Sequence, residues 1–265
     1  AEGPSAATQA SIRPLELDLA ERAGAPLFDG VGQYEMPITT QDADAQRYFN
    51  QGMVLAFAFN HAESIRSFRA AQTLDPTCAM CFWGEALATG PNINVTSKGK
   101  VIMAPAEREA AYAALQQAIA RQGNVTPREQ GYISALANRY DGDVNSDRTP
   151  LDLAWAEAMG ELAAAYPEDM TAASIYAEAL MNTMPWNYWS DDGIAKPETS
   201  AVIAALDRVL DVEPNHPLAL HLYIHALEAS TARRLLSARL WSPGLPWMIT
   251  IRSSNSLVFA ELCDH

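Results

Sequence analysis

From Thr40 to about residue 230, apolar residues recur three or four positions apart in segments bounded by Pro, Gly and Asp-Pro. That period places the apolar positions on one face of an α-helix, and no run of alternating β-branched residues competes with it. The pattern predicts helices over 42–59, 61–74, 78–89, 105–121, 127–140, 150–166, 168–182, 198–212, 215–229 and 231–241. Two longer insertions interrupt them, GPNINVTSKGKVIMA at 90–104 and TMPWNYWSDDGIAKP at 183–197. Residues 1–40 are rich in Pro, Gly and Ala without a sustained period, which predicts an extended lead. The fold class is therefore all-α, with a helical domain over 41–241 and a separate tail over 242–265.

The helices repeat. TCAMCFWGEALA after Pro76, EDMTAASIYAEALM after Pro167 and NHPLALHLYIHALE after Pro214 superpose on Ala-Leu as WGEAL, YAEAL and YIHAL. Trp83, Tyr176 and Tyr223 then share one position, Ala86, Ala179 and Ala226 a second, and Leu87, Leu180 and Leu227 a third. An aromatic, a small residue and a Leu at this spacing let one helix wedge against its neighbours, burying a face that it cannot bury alone.

On these residues the chain resembles the tetratricopeptide-repeat family, built from helix pairs about 34 residues long. The best-matched unit is YFNQGMVLAFAFNHAESIRSFRAAQTLDP, with Gly52 as the small residue of its first helix, Phe68 and Ala71 packing the second, and Pro76 ending it. Ser64 departs from the family, which usually has Ala there. The resemblance covers 42–230 and implies a helix-turn-helix solenoid of about four to five pairs. It also implies that the first helix of each pair lines a concave, ligand-binding face.

More narrowly, GPNIN at 90–94, PWNYW at 185–189 and HPLALHLYIHALEAS at 216–230 resemble a group of bacterial exported tetratricopeptide proteins without an established activity. Those proteins continue into a second segment with closely spaced histidines. Here the chain instead runs TARRLLSARLWSPGLPWMITIRSSNSLVFAELCDH, which is expected to be a divergent or frame-altered ending whose apolar LVFAEL offers a surface for a second subunit.

Charge narrows the partners. The chain carries a formal charge of -14, and such a surface repels nucleic acid and anionic bilayers. No apolar run approaches the roughly 18 residues of a spanning helix. The small, polar start at Ala1 is expected of a mature exported protein, periplasmic or secreted.

Three of the five histidines fall within ten residues. His221 and His225, four apart on one helix face, place their side chains about 6 Å apart. Two imidazoles at that distance suit part of a zinc, copper or iron site. His216 precedes Pro217 and reads either as a helix cap or as a third ligand, and Glu228 shares the face of His225. In the repeat alignment His225 stands where the other segments have Glu85 and Glu178, which predicts a polar row along the groove. Trp186, Asn187 and Tyr188 would overhang that row. His61 reads either as a helix-start residue or as a further ligand. Leu222 follows His221 where the metalloprotease signature needs Glu, so that signature is excluded.

Cys78 and Cys81 admit three readings: a disulfide, two small buried residues, or a metal or redox pair. Asn92 and Asn94 either close the turn after Gly90 or face the groove, and PWNYW is either a packing insert or a ligand wall. Phosphate-loop, G-x-S-x-G and dinucleotide signatures are absent from the sequence. Two functions follow as expectations. One is an exported interaction protein that binds a peptide or protein in an acidic concave groove. The other is a metal-dependent oxidoreductase or hydrolase, with copper, zinc or iron on His221 and His225 and Glu178 as ligand or general base.

Overall fold

The structure is a computed structural model and describes residues 14–32 and 34–230. It is mostly helical: α1 (Pro14–Ala23), α2 (Ala43–Phe57), α3 (His61–Leu74), α4 (Ala79–Ala88), α5 (Pro105–Arg121), α6 (Pro127–Ala137), α7 (Arg148–Ala165), α8 (Met170–Thr183), α9 (Pro197–Val212) and α10 (Pro217–Leu227). The expected helices between 42 and 229 all form, most within two residues of the bounds read from their period. The segments 231–241 and 242–265 lie outside the described residues.

Local chemistry explains the boundaries. Asp42, Asn60, Asp147 and Asp169 each precede a helix and accept backbone N–H bonds from its first turn. Thr126 and Glu129 form a reciprocal capping box at the start of α6. These side chains satisfy donors that would otherwise lack partners at a helix start.

From α2 onward consecutive helices pack on one another, and α2 with α4, α4 with α6 and α8 with α10 make further contacts, while α1 packs on α3. In addition α10 packs against α2, so the last described helix returns to the start of the array. Phe68 of α3 is fully buried, and its ring lies where a Cβ on Gly52 of α2 or Gly84 of α4 would stand. Trp83 of α4 donates its indole N–H to the Tyr132 carbonyl of α6 at 3.1 Å.

The lead is not extended throughout. PLELDLAERA forms α1, with Leu19 and Ala23, one helical turn apart, buried in the core.

Beyond Ala23 the described part of the lead has neither helix nor strand and follows α2 as a strap, with a turn at Asp29–Gly30. Gln51 Nε2 donates to the Pro26 carbonyl at 3.0 Å, and Gln51 Oε1 accepts the Phe28 N–H at 2.7 Å. Gln46 repeats this fork on the Met36 carbonyl and the Ile38 N–H, both at 3.0 Å. The strap then crosses to other helices: Tyr34 meets the Thr171 hydroxyl of α8 at 2.6 Å, and Thr39 donates its N–H and hydroxyl to the Glu129 carboxylate of α6.

The first insertion contains a two-residue antiparallel hairpin, β1 (Thr96–Ser97) and β2 (Lys100–Val101). Lys98 and Gly99 both take positive φ at its turn, the geometry that a two-residue hairpin loop favours.

Candidate functional site

His221 and His225 lie one turn apart on α10, and their Nε2 atoms face each other at 3.1 Å. The outer nitrogen of each ring is engaged. His221 Nδ1 contacts the Phe57 carbonyl, at the end of α2, at 2.7 Å. A carbonyl only accepts, so this Nδ1 carries a proton. His225 Nδ1 contacts Glu228 Oε1 at 2.9 Å, and by the same reasoning it donates to the carboxylate.

With both Nδ1 atoms protonated, two neutral imidazoles would oppose their Nε2 lone pairs across 3.1 Å. That contact becomes attractive only when a positive charge, a proton or a metal ion, sits between them. Burial, reinforced by His225 and His61, holds the His221 pKa down to about 4 against the opposing effect of the Phe57 carbonyl, so His221 itself is neutral at pH 7.

Two aromatic residues with uncommon backbones bracket the pair. Phe59 (φ 60°) lies 4.3 Å from the His221 ring, and Trp186 (φ 62°) meets the His225 ring edge-on at 5.1 Å. A left-handed backbone at a bulky residue costs of order 1–3 kcal/mol and persists only where surrounding contacts impose it. For Trp186 one such contact is its indole N–H, which donates to the Ile93 carbonyl at 2.6 Å and ties the two insertions together. Trp186 is 47% exposed. Neither Phe59 nor Trp186 carries a sequence signal for this conformation, because the usual Gly or Asn is absent at both positions.

The other expected site residues disperse. Glu85 is taken by Arg69 and Gln72, each at 2.7 Å, and belongs to the α3–α4 packing. Glu178 is half-buried beside Asn182, and burial raises its pKa against the opposing charge of Arg139. The polar row expected through Glu85, Glu178 and His225 is thus divided among three local partnerships. Each side chain turns to the polar group that its own neighbours supply.

His216 is the N-cap of α10: its Nδ1 accepts the Ala219 N–H at 3.3 Å, which puts the ring proton of the neutral imidazole on Nε2, an atom buried without a hydrogen bond. His61 opens α3, with both ring nitrogens buried and without a hydrogen bond, and its ring lies 5.4 Å from Phe59. Tyr188 is buried in the core and does not overhang the pair, whereas Asn187 is exposed. Asn92 Oδ1 accepts the Asn94 N–H at 3.0 Å, closing the turn after Gly90.

Cys78 and Cys81 are joined in a disulfide and buried at the first turn of α4. Neither sulfur is therefore a thiolate ligand in this structure. Among the described residues no group of three or more His, Cys, Asp or Glu side chains is arranged to hold a metal ion, and no helix is long and apolar enough to cross a membrane. Comparison of the chain with protein-family models, with curated proteins and with solved structures finds no match.

Proposed function

We propose that the chain is a tetratricopeptide-like helical array carrying a transition-metal centre, with His221 and His225 as its protein ligands. The observation that carries the reading is the 3.1 Å approach of two Nε2 atoms whose partner nitrogens both donate, one to a main-chain carbonyl and one to a carboxylate. Ligating histidines characteristically donate their second N–H in this way, which fixes the tautomer and orients the lone pair toward the ion. A bound ion would polarise water or substrate for hydrolytic or redox chemistry, the metal-dependent activity this reading assigns.

Metal analysis of the purified full chain tests it. A near-stoichiometric transition metal that is lost in both His221→Ala and His225→Ala is the expected result. A chain that neither retains nor takes up any such metal refutes the proposal. The Cys78–Cys81 disulfide supports an oxidising, periplasmic or secreted setting.

A second reading has its own observation. The forked amides of Gln46 and Gln51 grip the main chain of the strap, much as a peptide-binding face grips an extended ligand. On this reading the array is an interaction protein, and residues 25–40 stand in for a peptide partner. A synthetic peptide of that sequence should then bind a variant lacking the strap, in a saturable manner.

A further inference from the structure

We infer that the interior around Arg139, beside Pro91, is a binding site for a small hydroxy-carboxylate, whose carboxylate takes Arg139 and His61 and whose hydroxyl donates to Asn182. The site is separate from the pair His221 and His225, and the inference does not depend on a metal there.

Polar side chains from three helical regions converge about Arg139, which follows α6. Its guanidinium donates to the Pro91 carbonyl at 2.7 Å and lies 5.3 Å from the centre of the Trp155 ring. Its charge acts on His61 at the start of α3 and on Glu178 of α8, and Glu178 accepts the Asn182 side-chain N–H at 3.4 Å.

Hydrogen bonding in this cluster is incomplete. Arg139 Nε, both ring nitrogens of His61 and Asn182 Oδ1 are buried without a partner. Arg139 and Asn182 are only 1% and 2% exposed, so water does not replace what they lack. The Ala88 main chain comes near the His61 ring, but not in hydrogen-bonding geometry. Buried polar atoms are nearly always paired in folded proteins, and several orphans in one place mark a partner that arrives from outside.

Charge is incomplete as well. Arg148, which donates to the Arg139 carbonyl, is itself paired with Asp152 at 2.6 Å. Glu178 is the other carboxyl within reach, but it makes no ion pair with Arg139, and burial raises its pKa against the Arg139 charge. A buried guanidinium without a paired anion is unfavourable, and a carboxylate fits its planar fork. One oxygen of that carboxylate can accept from Arg139 Nε and the other from the His61 N–H. Asn182 Oδ1 only accepts, so it needs a donor that a plain carboxylate lacks and a hydroxyl supplies. His61 and Glu178 are half-buried, and no hydrogen bond holds the His61 ring, which can therefore turn to admit a ligand from that side.

Isothermal titration calorimetry tests the inference on the full chain, stripped of metal by a chelator and dialysed, with glycolate, acetate and sulfate as ligands. The expected result is saturable binding of one glycolate per chain, about tenfold tighter than acetate, which is the difference one hydrogen bond makes. Asn182→Ala should remove that preference and leave acetate binding unchanged. Arg139→Gln should abolish binding of both; circular dichroism reports whether this variant folds, and if it does not, Asn182→Ala decides. No saturable heat with glycolate, sulfate binding as tight as glycolate, or a glycolate preference that survives Asn182→Ala would overturn the inference. With metal removed beforehand, none of these outcomes bears on the reading of His221 and His225.

Discussion

His221 Nδ1 meets the carbonyl of Phe57 at 2.7 Å, which joins the last described helix to α2 across 164 positions. The same ring turns its other nitrogen to His225. A single side chain thus helps close the array and aims the candidate metal ligand, so the site depends on the return of α10 to α2. Replacing His221 by Ala leaves the Phe57 carbonyl without this donor and should lower the unfolding free energy by about 1–3 kcal/mol, measured by urea denaturation of the metal-free protein. His221→Phe, which keeps a ring but no donor, should also be less stable than the parent.

Stability should fall in mild acid. Burial holds the His216 pKa down to about 4, and its Nδ1 must stay unprotonated to accept the Ala219 N–H that caps α10. The unfolded chain has the ordinary histidine pKa near 6.5 and therefore binds the extra proton first. This contribution is intact above about pH 6.5 and is lost as pH falls toward about 4. His221 shifts in the same direction. Melting temperatures at successive pH values check the slope, and His216→Asn, which can still cap the helix, should flatten it.

Phe68 has room only because Gly52 and Gly84 lack side chains on either side of it. Gly84→Ala or Gly52→Ala should destabilise the fold by about 1–3 kcal/mol through overpacking. Phe68→Ala should cost about 3–5 kcal/mol through the cavity it leaves. The cost of Gly84→Ala should shrink when Phe68 is also replaced by Leu, because the ring that clashes is then gone. Chemical denaturation of the single and double variants measures that coupling.

The Cys78–Cys81 bridge closes a loop of only four residues, so removing it should cost about 2 kcal/mol in the chain-entropy account. Both cysteines are buried. Alkylation in denaturant without reductant should leave them unlabelled, and prior reduction should make both reactive, as mass spectrometry would report. The double Cys→Ala variant should melt lower but retain metal binding at His221 and His225.

The helical faces, their limits and the pairing of His221 with His225 are legible along the chain. They depend on the local helical period and on residues next to each boundary, as with Pro217, which marks His216 as a cap. The pattern also marks Gly52 as a small residue of one helix and Phe68 as a packing residue of the next, but that the two meet is seen only in the folded chain. Only the folded chain reveals that Glu85 serves Arg69 and Gln72, and that Phe57 holds His221. It likewise reveals the strained aromatics Phe59 and Trp186 beside the pair. A period orients a side chain about its own helix axis, but contacts between distant helices depend on a succession of crossing angles, each with a scatter of about 15–20°. Whether α10 returns to α2, and therefore whether two histidines four apart become a pair with fixed outer partners, is settled by that accumulated packing.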